Sequence, residues 1–230
     1  MSKAVAINGS PRMEKGNTAM VLTAFIQGMQ AAGSDVELFY ASRLQVKPCA
    51  CGKLVCWNET PGECCIKDDM QVLYPRLREA DILILATPVY IPLPGELQNI
   101  INRLCPLLDP LLEFRQGRTR ARFRQGVGIR KIVLVSTSGW WEKANFDTVV
   151  RITAELAKDA GVEFAGAVLR PHVGLMKAKG ALTEDGQAVL NAVGRAGYEL
   201  VKEGSMTEET LEAISRPLIS QEELWRRYEE

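Results

Sequence analysis

Short, unbroken apolar runs recur along the chain at Ala4 to Ile7, Ile82 to Ala86 and Ile132 to Val135. Runs of this kind belong to strands covered by helices on both faces, so these three predict the centre of a sheet. Two further runs each carry a charge, Val36-Glu37-Leu38-Phe39-Tyr40 and Val162-Glu163-Phe164-Ala165, which suits sheet edges. Between the runs, apolar positions fall at helical spacing. They are Val21 and Phe25 before a stop at Gly33, then Leu97, Ile100, Ile101 and Leu104, then Val149, Ile152 and Leu156 before a stop at Gly161. Alternation of strand and helix requires parallel pairing through right-handed crossovers. The pattern therefore predicts an α/β fold, a doubly wound five-stranded parallel sheet in the order 2-1-3-4-5. In that order ligands sit beyond the carboxyl ends of strands one, three and four, where the strand order reverses.

A chain of 230 residues has room for one large domain. We expect it over residues 1–204, with a cysteine-rich loop at 48–66 inserted after strand two, and a C-terminal helical extension over 205–230. Within the extension, Ser205 to Glu208 and Ser220 to Glu223 have the form of capping boxes, predicting helices over Thr207 to Ile214 and Gln221 to Tyr228. Helices this short need a surface to dock on, either their own core or a partner subunit. Lys+Arg and Asp+Glu are equal at 28 each, so no global charge draws the chain to nucleic acid or to an anionic membrane. No uncharged apolar stretch of about 18 residues occurs, and Asn8 and Arg12 interrupt the segment a signal peptide would need, so a cytoplasmic protein is expected.

The loops at the three predicted strand ends carry the candidate chemistry. Ser10 to Thr18 lies between an apolar strand and a helix start, an arrangement that binds phosphate through unpaired helix N–H groups. It lacks both the Gly-Lys-Ser/Thr ending of a Walker loop and the Gly-x-Gly-x-x-Gly spacing of a dinucleotide fold. Ser10, Asn17 and Thr18 are the candidate donors to a phosphate monoester, with Arg12 supplying charge. The second loop runs from Thr87 through Pro88, Val89 and Tyr90 to Gly95, and the third from Ser136 to Trp141. Rigid backbone and flat side chains in both suit the two sides of a planar ring, so a phosphorylated flat heterocycle is the expected ligand.

These loops together resemble the NADPH-dependent FMN reductase family of flavodoxin-like proteins, over roughly residues 3 to 170. The cysteines and the Ile66-Lys67-Asp68-Asp69-Met70 after them look most like its iron-sulfur flavoprotein branch. The resemblance implies that Ser10, Arg12, Asn17 and Thr18 hold the FMN phosphate. It implies that Pro88, Val89 and Tyr90, with Ser136, Thr137 and Gly139, border the isoalloxazine, and that Trp140 or Trp141 covers one ring face. The chemistry would be flavin-centred, with no catalytic side chain, NAD(P)H as co-substrate and a quinone, flavin or other small molecule as acceptor. The expected assembly is a homodimer or homotetramer. Two other readings stand beside this one: an electron carrier between ferredoxin-like partners and FMN, and a binding module that has kept the fold and lost its flavin.

Six cysteines in a cytoplasmic protein point to metal or redox chemistry before disulfides, and a single histidine, His172, argues against a His-rich zinc site. Cys49, Cys51, Cys56, Cys64 and Cys65 crowd one irregular loop, where four thiolates suit a 4Fe-4S cluster or a structural zinc. Metal-free thiols over the flavin are the third reading. The iron-sulfur flavoproteins carry Cys-x-x-Cys-x-x-Cys and a later fourth cysteine, whereas this chain begins Cys-x-Cys and ends on an adjacent pair. Cys105 reads as a small buried apolar residue. The arginine run from Arg115 to Arg124 reads as a solvated loop, or as a strap drawing the phosphates of NAD(P)H to a nearby site.

Overall fold

The computed structural model describes residues 1–229. Its sheet consists of β1 (Lys3–Asn8), β2 (Asp35–Tyr40), β3 (Ile82–Pro88), β4 (Lys131–Thr137) and β5 (Glu163–Arg170). All pairs are parallel, and the spatial order β2-β1-β3-β4-β5 is the one the apolar pattern predicts. The fold is thus flavodoxin-like, with the charged strands β2 and β5 at the edges as expected.

Alternation along the central strands divides the core in two. Ala4, Ala6, Ile82, Ile84, Val133 and Val135 face α1 (Asn17–Ala31) and a long helix, α5 (Glu184–Lys202). Val5, Ile7, Leu83, Leu85 and Ile132 face α2 (Met70–Glu79) and α3 (Gly95–Asn102). A smaller cluster on Leu134, Phe146 and Val149 seats α4 (Asp147–Ala160), which ends at Gly161 with φ of +73°, the left-handed stop the sequence predicts.

Two helices make up the extension, α6 (Glu208–Ser215) and α7 (Gln221–Glu229). Ser220 caps α7 as expected, accepting from Glu223 N at 3.2 Å. The cap of α6 differs from the expectation: it is Thr207, accepting from Thr210 N at 3.3 Å, rather than Ser205. The reason is Glu199 of α5, whose carboxylate accepts from Thr207 N at 2.9 Å and from the Thr210 hydroxyl at 2.8 Å and so orders that turn. Arg170, at the end of β5 and 1% exposed, holds the other end of α6, donating to the carbonyls of Ile214 at 2.6 Å and Arg216 at 3.0 Å. With Ile214 fully buried, α6 docks on its own core.

Burial pushes the Glu199 carboxyl up, but the bonds from Thr207, Thr210 and Arg195 outweigh it and hold it below its ordinary 4.5. A depressed folded pKa contributes stability that is complete above the ordinary value and lost as pH falls through the folded one. The stability margin of the wild type over Glu199→Gln should therefore be present at neutral pH and shrink on acidification below about 4.5. Denaturant midpoints of both proteins across that range check it; a margin that does not change with pH would show that the carboxylate charge is not what docks α6.

The arginine run is an ordered ribbon rather than a loop, and it stays away from the ligand-binding strand ends of its own subunit. Glu113–Arg115 and Arg118–Arg120 form an antiparallel ribbon laid on α4. Arg120 is buried against Asp159 at 2.6 Å and Glu155 at 3.0 Å, Arg118 reaches Glu155 at 3.3 Å, and Arg115 and Arg122 both pair with Glu113. Acidic residues on α4, far away in sequence, neutralise the run. The ribbon sits by the C-terminal end of α4, at the start of β5, and so at the opposite end of the sheet from the strand ends that bind ligands.

Candidate functional site

A cleft of about 310 Å³ opens at the carboxyl ends of β1, β3 and β4. Ser10, Arg12, Gly16, Asn17 and Thr18 line one side, Pro88, Val89 and Tyr90 a second, and Thr137, Ser138 and Gly139 a third. Val173 and Gly174, from the loop after β5, close the fourth, a contribution the sequence reading missed. The signal there was weak: Pro171-His172 breaks the strand, and His172 takes φ of +47°, which no motif announces.

Each wall is held by backbone bonds. Asn8 at the end of β1 accepts from Ser10 N at 2.9 Å through Oδ1, while its buried Nδ2 has no partner among the described residues. Gly16 precedes α1 without a side-chain cap, leaving the first N–H groups of the helix free for a ligand. A Cβ at Gly16 would lie 2.8 Å from Ser10 Oγ, so the turn tolerates only glycine without shifting Ser10. Val89 N donates to the Thr137 carbonyl at 2.9 Å, tying the second loop to the third. Ser138 Oγ accepts from Trp140 N at 2.9 Å, and Ser138 N donates to the Arg170 carbonyl at 3.1 Å. A Cβ at Gly139 or Gly174 would meet nothing, so space stands open on both. Arg12 is exposed and has no carboxylate partner among the described residues.

Two residues predicted for the site lie off the cleft lining. Ser136 is fully buried and donates to the Thr87 carbonyl at 2.8 Å; as the neighbour of Thr137 on a strand it points to the other face. Trp140 stands 60% exposed outside the lining. Thr18 lines the cleft, but its hydroxyl is shared with Thr137 Oγ1 at 2.8 Å, joining α1 to β4 across the floor. A phosphorylated planar ring fits what these residues present: unpaired helix N–H groups, an exposed guanidinium and glycine-lined walls.

The thiols gather at the other end of α3. Cys56 is buried, Cys51 and Cys64 are half-buried, and the Cys105 turn meets the loop through Trp57, whose Nε1 donates to the Cys105 carbonyl at 2.8 Å. Burial pushes the Cys56 thiol up to about 12, and the charges of Cys105, Cys51 and Cys64 add to the rise. Cys105 is half-buried rather than buried, in the turn Cys105–Leu107. Cys65 is exposed. Among the described residues no three Cys, His, Asp or Glu side chains converge tightly enough for a single metal ion. The loop carries the soft sulfur donors that an iron-sulfur cluster takes, but the described residues do not bring three of them together, so they form no cluster site.

The chain is similar to known proteins in sequence and in fold. Proteins named iron-sulfur flavoprotein are 35% identical over 106 residues in Archaeoglobus fulgidus, covering 45% of this chain and 46% of that one. In Methanosarcina thermophila the identity is 33% over 103 residues, covering 44% and 51%. The chain thus spans about half the length of the curated relatives it matches. A putative quinone reductase from Klebsiella pneumoniae superposes with a TM-score of 0.65 at 17% identity, over 90% of this chain and 87% of the other. An FMN-dependent NADH-azoreductase from Bacillus anthracis, solved in complex with FMN, gives 0.54 at 13%, over 89% and 97%. At such identities these structures share the fold alone. The family of NADPH-dependent FMN reductases matches residues 2–142, a span that runs from β1 through the loop after β4 and takes in three of the four cleft walls. By that match over more than half its length, the chain belongs to the NADPH-dependent FMN reductase family.

Proposed function

We propose that the protein is an FMN-dependent oxidoreductase that takes electrons from NAD(P)H and passes them to a quinone, a flavin or another small acceptor. The observation that carries this reading is the cleft at the reversal of strand order, where an uncapped helix start faces two rigid loops. Bound FMN supplies a ring that accepts hydride and releases electrons. Ser10, Asn17 and the first N–H groups of α1 hold its phosphate, and Arg12 offsets the charge. Val89, tied to Thr137, and Ser138, tied to Trp140, hold the two loops in place, so the cleft need not rearrange around a bound ring. Tyr90 and Ile91 stand exposed at the mouth, which favours a homo-oligomer with a partner subunit over it. No described helix is long and apolar enough to cross a membrane, in keeping with a cytoplasmic enzyme.

A second reading, an iron-sulfur flavoprotein that relays electrons between a ferredoxin-like protein and FMN, is supported by the five cysteines of one loop and by the relatives that carry that name.

Titration of the apoprotein with FMN tests the first reading. Ser10→Ala with Asn17→Ala should weaken binding by about 2–4 kcal/mol, two hydrogen bonds to a charged group. Unchanged affinity would move the phosphate elsewhere and remove the site assignment.

A further inference from the structure

Thr137, the last residue of β4, ties the walls of the cleft to one another. Its carbonyl accepts from Val89 N of the second loop at 2.9 Å, and the carbonyl of the next residue, Ser138, accepts from Val173 N of the fourth wall at 3.0 Å. Its hydroxyl reaches the first wall. Thr137 Oγ1 and Thr18 Oγ1 lie 2.8 Å apart, joining α1 to β4, and at 3% and 2% exposure the two residues are shielded from competition by bulk water. Neither hydroxyl forms another hydrogen bond among the described residues.

Two hydroxyls joined by one bond carry two hydrogens, and the bond uses only one of them. The other stays on whichever oxygen accepts. Thr18 is the second residue of α1, at an uncapped helix start, and Ser10, Arg12 and Asn17 line the same wall. That wall offers donors and positive charge, so an anion bound there draws the remaining hydrogen onto Thr18. Thr137 is then the donor between the two.

We propose that Thr137 is a positioning residue for the phosphate of FMN, its hydroxyl donating to Thr18 and so leaving the Thr18 hydrogen free to donate to the phosphate. The proposal rests on the FMN reading above, and it gives Thr137 a task on the phosphate side of the cleft rather than the ring side where the resemblance puts it. A hydroxyl that accepts one hydrogen bond gives its own hydrogen more readily, so the pair is a stronger donor than Thr18 alone. Without the Thr137 hydroxyl, the Thr18 hydroxyl turns freely and has to be ordered when the ligand binds.

Titration of the apoprotein with FMN and, separately, with riboflavin, which has the same ring and no phosphate, tests this relay. Thr137→Val keeps the shape of the side chain and removes the hydroxyl; it should weaken FMN binding about tenfold, the lower end for a hydrogen bond to a charged group. Thr137→Ser keeps the hydroxyl and should bind FMN within about twofold of wild type. Riboflavin affinity should change by less than about twofold in both, because a merely structural loss would lower it as well. Thr18→Val should weaken FMN binding about tenfold or more, and the double variant no further, since Thr137 acts only through Thr18. Thermal unfolding of each apoprotein shows that it is folded. Equal losses of FMN and riboflavin affinity in Thr137→Val, or losses that add in the double variant, would overturn the relay and return Thr137 to the ring wall. Unchanged FMN affinity in Thr137→Val beside a loss in Thr18→Val would overturn it too. Wild type that binds FMN no better than riboflavin would remove the phosphate site itself, a failure of the FMN reading that none of the other results resembles.

Discussion

Replacing Arg103 by methionine should destabilise the protein by about 3–5 kcal/mol, the range for breaking a buried ion pair from one side. The side chain has almost no exposure, and its partner Asp68 is 2% exposed. Arg103 Nη1 donates to Asp68 Oδ2 at 2.7 Å and to the Lys47 carbonyl at 2.8 Å, and Nη2 donates to Asp68 Oδ1 at 3.1 Å. Lys47 and Asp68 stand at the two stems of the cysteine loop, so one guanidinium on α3's trailing end closes it. Burial alone would push the Asp68 carboxyl up, but Arg103 and the Lys47 and Met70 N–H groups hold it below its ordinary value. Without Arg103 a buried carboxylate remains with its main counter-charge gone. Urea denaturation measures the loss. The double variant Arg103→Met with Asp68→Leu should recover much of it, since removing both charges removes the desolvation cost as well. A single variant that costs under about 1 kcal/mol would show that the loop is closed by something else.

Gly197→Ala should cost about 3 kcal/mol or more, because α1 and α5 cross backbone to backbone. A Cβ at Gly197 would overlap the Phe25 carbonyl oxygen, and one at Gly28 would overlap that of Gly194. Backbone cannot step aside as the tip of a side chain can, so the helices must separate, opening voids among Val21, Phe25, Val189 and Val193. The N-terminus of α1 forms the phosphate wall of the cleft, so FMN affinity should fall along with stability. Thermal unfolding and FMN titration of the same variant check both effects; loss of stability with unchanged affinity would mean that α1 holds its place at the cleft independently of α5.

Much of this arrangement is legible in the chain alone, because its signals are local. Unbroken apolar runs at β1, β3 and β4 and charged ones at β2 and β5 determine which strands are central, and that determines the strand order. The strand order in turn determines which loops meet, and Ser10 to Thr18, Pro88 to Tyr90 and Thr137 to Gly139 do meet. The sequence-based reading assigned no element to 184–202, where α5 lies, because glycines at 186, 194 and 197 weaken the helical signal, two of them, Gly186 and Gly197, where a Cβ would overlap neighbouring backbone. Ser136 carries the right chemistry but faces away from the cleft, since adjacent strand residues point to opposite faces. The arginine run is neutralised by Glu155 and Asp159, which come more than thirty residues later. The Cys105 turn meets the cysteine loop through Trp57, 48 residues away in sequence. These outcomes depend on packing between distant segments, where a side chain's role is set by which backbone lies opposite it, and only the tertiary structure decides that.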